Sequence, residues 1–339
     1  MRPILKTFGC CLLIALSQCA FIANGQTEPD DVIRVDTNLV NLFFSAVDKD
    51  NRFMTSFERS DVSVYEDGIR QEILTFQKST DRPLSLALLV DISGSEKRTL
   101  IEEKIAAKSF LDAVIRQELD HVAIISFAAD PFLEQPLTNN IDEAKRAIDR
   151  IQPVRGVLGY QGKGTVLPAG VKPATGSLSY TSAIWDALWI TSRHLFSPLP
   201  TNIRRVMVLV TDGEDTSSRA NLDEAIDITL HADTVVYVIG VGDTSIADGV
   251  NKSTLSKIAL RTGGQFFSLR KNEDLTDAFE RIANELRNQF LLSYVPLNRN
   301  AEPSYRRLRI EIGDTKSQRH RPRLFYRPGY YFRQQTAKP

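Results

Sequence analysis

Asp91-Ile92-Ser93-Gly94-Ser95 puts one carboxylate and two hydroxyls at spacings of two residues. A tight turn can aim all three into one small volume, and Gly94 lets the backbone fold closely there. A second carboxylate stands in Thr211-Asp212-Gly213. Each string follows an apolar run, Leu84 to Val90 and Val206 to Val210, of the kind buried on both faces of a parallel sheet. Ligands of open α/β sheets bind at the carboxyl ends of the strands, so both strings are expected at one sheet edge. Two carboxylates with neutral hydroxyl oxygens form a hard-oxygen donor set, suited to Mg2+, Mn2+ or Ca2+ and not to zinc. Alone, an Asp-x-Ser-x-Ser string arises by chance and an Asp-Gly after a strand is an ordinary turn. Their common placement after buried strands gives the pair its meaning.

The surrounding sequence must supply the frame. Similar apolar runs recur at Val122 to Phe127 and Val235 to Val241. Helical patterns separate them, roughly Lys97 to Gln117, Ile141 to Ile151, Ala183 to Leu195 and Leu222 to Ala232. Leu275, Phe279, Ile282, Leu286 and Phe290 fall on one face of a last helix near Asn272 to Asn288. Strands alternating with helices predict an α/β fold with a doubly wound, mostly parallel sheet over 84–289. Short strand patterns flank it at 32–80 and 290–333, where Phe290 to Val295, Tyr305 to Ile312 and Leu324 to Phe332 read as a meander. Each flank is too short to stand alone, so the two are expected to pack together as a smaller β domain. Residues 155–180 are rich in Gly, Ser, Thr and Pro without periodicity, a long loop of the kind that is usually functional or mobile.

The order Asp-x-Ser-x-Ser, a hydroxyl before a helix, then Thr-Asp-Gly resembles the metal-ion-dependent adhesion site of von Willebrand factor A domains. Val206-Met207-Val208-Leu209-Val210-Thr211-Asp212-Gly213-Glu214-Asp215 and Thr262-Gly263-Gly264 before Phe266-Phe267 are similar to the same family. Val62-Ser63-Val64-Tyr65-Glu66-Asp67-Gly68 and Arg327-Pro328-Gly329-Tyr330-Tyr331 look like its related proteins in Acidobacteria. The resemblance implies that Ser93 and Ser95 bind a divalent metal directly, and that Asp91 and Asp212 bind it directly or through water. It also implies that the metal takes an Asp or Glu of a partner protein. The third segment departs from the family's Gly-Gly-Thr, reading Ser179-Tyr180-Thr181-Ser182-Ala183-Ile184-Trp185-Asp186-Ala187. Ungapped counting puts Ser182 in the threonine's place with Thr181 one residue away, and either supplies a hydroxyl.

Composition and the N-terminus bound the remaining classes. Residues 1–25 have a basic start at Arg2 and Lys6, an uncharged stretch and the small-residue ending Ala23-Asn24-Gly25, the layout of a signal peptide. All three cysteines (Cys10, Cys11, Cys19) lie inside it, which excludes disulfides, thiolate metal sites and a cysteine nucleophile from the mature chain. Gln18 stands where a lipid-attachment motif wants a small residue, so anchoring at Cys19 is not expected. No later run reaches the roughly eighteen apolar residues of a membrane span. The mature chain is therefore expected to be extracytoplasmic, periplasmic or secreted. Forty-two basic against forty-two acidic residues argue against broad capture of nucleic acid. His121, His194, His231 and His320 show no metal-pair spacing, and there is neither a phosphate loop with Lys nor a Gly-x-Ser-x-Gly elbow, so no enzyme is expected. A scaffold whose metal only staples loops is the alternative, and a metal-dependent hydrolase a more distant one. Trp185 and Trp189, one helical turn apart, read as core packing.

Overall fold

The computed structural model describes residues 39–93, 97–153, 165–166, 181–211, 215–242, 252–270, 275–298, 304–313 and 322–332. The expected signal peptide, Ser95 and Asp212 lie outside these residues. The chain opens with strands β1 (Val40–Val47), β2 (Val62–Glu66), β3 (Ile69–Gln71) and β4 (Ile73–Lys78). It continues through β5 (Leu84–Asp91), α1 (Lys97–Val114), β6 (His121–Phe127), β7 (Pro131–Thr138), α2 (Ile141–Arg150) and β8 (Thr165–Val166). Next come α3 (Ile184–Ile190), β9 (Arg204–Thr211), α4 (Leu222–His231), β10 (Thr234–Val241), α5 (Lys252–Thr262), β11 (Phe266–Leu269) and α6 (Leu275–Asn288). Strands β12 (Phe290–Tyr294), β13 (Ser304–Ile312), β14 (Arg323–Tyr326) and β15 (Gly329–Phe332) close it.

Among the described residues the central sheet runs β11-β10-β9-β5-β6-β7-β8, parallel from β11 to β6 and antiparallel at β7 and β8. Side chains of a strand alternate between faces. Leu84, Leu86, Leu88 and Val90 of β5 therefore enter the core beneath α1, α2 and α6. Ala87 and Leu89 enter the one beneath α3, α4 and α5. Burial on both faces is why β5 and β9 read as unbroken apolar runs, and it leaves their last residues at a sheet edge. This is the doubly wound sheet expected from the sequence. Helix starts follow capping chemistry. Asn140 accepts from the N–H groups of Asp142 and Glu143, and Asn221 and Glu224 form a reciprocal capping box. Helix α6 ends at Asn288, so Phe290 belongs to β12 and not to the helical face on which its spacing had placed it.

The terminal strands do pair with one another, but not as a meander. They form two antiparallel sheets, β14-β1-β12-β4 and β15-β13-β2-β3, packed over one apolar core. Every C-terminal strand pairs with an N-terminal strand or, for β15, with β13. The stretch expected as one strand from Leu324 to Phe332 breaks at Arg327-Pro328 and contributes β14 to one sheet and β15 to the other. Between β2 and β3 the hairpin turns on Asp67 and Gly68, both at positive φ, which the right-handed strand twist favours in a two-residue turn. Inside this layer Arg306 donates to Glu66 at 2.8 Å with both side chains 1% exposed. The hydroxyls of Tyr294 and Tyr330 donate to the other Glu66 oxygen, each at 2.7 Å. The Arg306 guanidinium also lies 3.6 Å from the Phe332 ring centre.

Polar contacts fasten this layer to the central sheet. Arg327 bonds Asp233 and the Asn41 carbonyl, and Tyr331 donates to Asp227 at 2.9 Å. Gly263 and Gly264 sit where an added Cβ would collide with the backbones of Arg327 and Val236, so this junction needs their bare backbone. Deeper in, Ser45 of β1 donates to Glu285 of α6 at 2.9 Å, and Gln265 donates to its other oxygen. Burial is the main cause that raises the Glu285 carboxyl to about 7, against hydrogen bonds that favour its ionised form. The folded value exceeds the unfolded one, so the contribution is intact below about pH 4.5 and is lost as pH rises toward 7. At roughly 1.4 kcal/mol for each pH unit between the two, the loss is about 3 kcal/mol. Urea denaturation at pH 5 and pH 8 is expected to show it, and Glu285→Gln is expected to flatten it.

Candidate metal centre

The Asp91 carboxylate, 3% exposed at the end of β5, is the hub of the candidate site. Its Oδ1 accepts from the Ser93 N–H at 3.0 Å and the Ser93 hydroxyl at 2.7 Å. Its Oδ2 accepts from the Ser182 hydroxyl at 2.8 Å and the Thr211 hydroxyl at 2.7 Å. Three segments far apart in sequence thus converge on one carboxylate: the turn after β5, the segment leading into α3 and the last residue of β9. Burial pushes the Asp91 carboxyl above the ordinary carboxylate range, and the bonds from Ser93, Thr211 and Ser182 oppose it.

Of the six residues singled out in the sequence, the structure brings Asp91, Ser93 and Ser182 together. Thr181 is adjacent in the chain but half-buried, and the hydroxyl that reaches Asp91 is that of Ser182, 2% exposed. Ser95 and Asp212 lie outside the described residues, Asp212 immediately after Thr211. Thr211 is the residue that the sequence reading did not count among the site's ligating groups. Its signal was available, because it ends the same buried strand that delivers Asp212.

Ser182 is held by the loop that follows β9. Its N–H donates to the Thr216 hydroxyl at 2.9 Å, and its carbonyl accepts from the N–H groups of Thr216 and Ser217 at 2.8 and 3.1 Å. Asp215 accepts from the Trp185 N–H at 3.2 Å and from the Ser218 hydroxyl. Asp186 accepts from the N–H groups of Arg219 and Ala220 at 3.0 and 2.9 Å. The start of α3 and the loop after β9 are thereby a single hydrogen-bonded unit, placed beside β5 by the parallel register of Val90 with Val210. The N–H of Ala183 donates to Ala128 O at 2.7 Å and ties the same unit to the end of β6. Trp185 packs partly buried against the core beneath α3, as its spacing suggested, whereas Trp189, expected there too, is half-buried and meets the exposed His194 edge-on.

The donor set fits a hard divalent cation. Among the described residues three hydroxyls donate hydrogen bonds to one carboxylate, and each hydroxyl oxygen keeps its lone pairs while doing so. The described groups bonded to Asp91 are all hydroxyl or backbone N–H groups, and among the described residues no group of three or more His, Cys, Asp or Glu side chains gathers.

Comparison with known proteins gives the family. A profile of the von Willebrand factor type A domain matches residues 85–281. An uncharacterised protein of Borreliella burgdorferi is 22% identical over 218 residues, covering 57% of this chain and 55% of its own length. The chain thus spans about half the length of that curated relative. Among solved structures, proximal thread matrix protein 1 of the mussel byssus, with a zinc-occupied MIDAS motif, is 19% identical (TM-score 0.47, 62% of this chain, 47% of that one). BatB of Bacteroides thetaiotaomicron is 20% identical (TM-score 0.42, 60% and 97%). A von Willebrand factor type A protein of Catenulispora acidiphila is 14% identical (TM-score 0.49, 79% and 73%). These structural likenesses are of chain fold alone. The profile spans more than half of the 339 residues and the whole stretch from β5 into α6, and the chain belongs to the von Willebrand factor type A domain family.

Proposed function

We propose that this chain is an exported, metal-dependent protein-binding module. The observation that carries the reading is the convergence of Ser93, Ser182 and Thr211 on the buried Asp91 carboxylate at the sheet edge. The cation is Mg2+, with Mn2+ or Ca2+ as substitutes. Ser93 and Ser182 hold it directly, and Ser95 and Asp212 complete the set as the family resemblance implies. From the described residues Asp91 accepts four hydrogen bonds, two on each oxygen, about the usual capacity of a carboxylate. It therefore orients the hydroxyls and supplies charge at one remove. Once bound, the cation supplies an electrophilic position for an Asp or Glu of a partner protein. The likeness of 62–68 and 327–331 to acidobacterial relatives belongs to the same proposal.

The reading has no catalytic step. All four described bonds to Asp91 come from the site's own groups, and His121 and His194 are exposed while His231 lies against Tyr331. Nucleic acid is not a partner in this reading. Among the described residues no helix is long and apolar enough to cross a membrane. A metal that only staples loops is the weaker alternative, because the Ser182 segment has its own protein hydrogen bonds to Thr216 and Ser217.

Affinity capture from the native envelope with Mg2+, with chelator and with Asp91→Ala as bait tests the proposal. Recovery of the same proteins with Mg2+ only is expected, with circular dichroism unchanged by the chelator. Equal recovery in all three arms would overturn it. The third hydroxyl has its own test. Ser182→Ala is expected to weaken Mg2+ binding by about tenfold or more, and Thr181→Ala to leave it unchanged, as read by calorimetry.

A further inference from the structure

At the end of the central sheet opposite Asp91, β5 and β9 begin at Leu84 and Arg204. The last turns of α1 and α6 close there over a cavity of about 300 Å3, lined in part by Thr80, Asp112, Arg116, Asp120, Arg204 and Arg287. Most of these charges are committed. Arg116 bonds Asp120 at 2.8 and 2.7 Å, the Arg82 carbonyl at 2.9 Å and the Thr80 carbonyl. Asp120 also accepts from the N–H groups of Leu84 and Arg116 at 2.8 and 3.0 Å. Asp112 pairs with Lys145, and Arg287 donates to the Ala113 carbonyl.

Arg204 is different. It is only 4% exposed, and its Nη2 donates to two neutral acceptors, Leu286 O at 3.0 Å and Gln289 Oε1 at 2.9 Å. Among the described residues no carboxylate stands within ion-pairing distance of it, and the Asp120 carboxylate is already paired with Arg116. Burial accordingly lowers the Arg204 guanidinium to about 10. A guanidinium has five N–H groups in a fixed fork that matches oxyanions, and the Leu286 and Gln289 bonds use only part of it. The carbonyl ends of α1 and α6 would repel an anion. Here the Ala113 and Leu286 carbonyls each accept from a guanidinium, which offsets that field.

We infer that this cavity is a binding site for a small oxyanion of the phosphate class, with Arg204 as its buried counter-charge and Arg116 and Arg287 at its rim. The site is independent of the metal centre and lies at the other end of the same strands. An anion held there touches the C-terminal turn of α6, the helix whose Glu285 accepts from Ser45 of β1.

Titration of the 15N-labelled full chain with inorganic phosphate, against chloride at matched ionic strength, tests the inference. Saturable shifts of the Leu84, Ile115, Arg116 and Leu286 amides are expected with phosphate and not with chloride. Arg204→Gln is expected to weaken binding by about tenfold or more, since it removes the buried partner of a charge pair. Where Arg204→Gln does not fold, the exposed Arg287→Gln serves instead, with a smaller but measurable loss of affinity. Shifts that are the same with chloride, that map away from these amides, or that persist at wild-type affinity in the folded variant would overturn the inference.

Discussion

Asp91→Asn is expected to weaken Mg2+ binding by at least about 100-fold and to abolish cation-dependent partner capture, with the fold retained. The size follows from what the carboxylate does. It accepts hydrogen bonds from three hydroxyls of three chain segments, so it sets where their lone pairs point as well as the local charge. Removing a single outer partner from a metal site already costs roughly 10–100-fold, and Asp91 organises the described site as a whole. The amide of this variant keeps one acceptor oxygen but presents an NH2 group to hydroxyls that now donate to the carboxylate, so their orientation is lost. Stability is expected to change little, because the neutral amide removes a buried charge while it gives up hydrogen bonds. Calorimetry with Mg2+ and a thermal melt of the same sample separate the two effects. A variant that binds Mg2+ as the wild type does would contradict the role given to Asp91.

Arg306→Met is expected to destabilise the protein by about 3–5 kcal/mol, the usual cost of stripping one partner from a buried ion pair. Glu66 would then be left 2% exposed with two tyrosine hydroxyls and no cation. Its charge also pushes the Tyr294 and Tyr330 phenols further above the range that burial gives them, so the tyrosines cannot take over the arginine's part. Pairing Arg306→Met with Glu66→Gln is expected to recover most of the loss, because removing both groups leaves no charge of the pair buried and unpaired. Urea denaturation of the two single variants and the double variant measures the cycle. Equal losses in the Arg306→Met and double variants would show that Glu66 incurs no penalty for losing its partner.

The parts of the fold that the sequence made legible are those encoded locally. Leu84 to Val90 and Val206 to Val210 are buried on both faces, so composition alone marks them as central strands, and the residues that end them fall at one edge. Strand β7 was not expected. It carries Pro131 and Pro136 and exposes part of its length, as an antiparallel strand near the sheet edge can, so no apolar run announces it. The terminal strands were expected to pack together and do, but their order depends on contacts across more than two hundred residues, such as Ser45 with Glu285 and Glu66 with Arg306. Local pattern carries no information about such pairs. At the site, Asp91 and Ser93 were legible because two-residue spacing survives in a turn. The choice between Thr181 and Ser182 was not, since both carry a hydroxyl and only the Thr216 and Ser217 contacts decide which one turns toward Asp91.

Whether the Asp91 hub builds a hard divalent-cation site is tested most directly by crystals grown with Mn2+ and measured for anomalous scattering. One strong anomalous peak is expected against the Ser93 and Ser182 hydroxyl oxygens, lost when Asp91→Asn crystals are treated in the same way. A well-ordered site without a peak there, or a peak that survives in the variant, would contradict it.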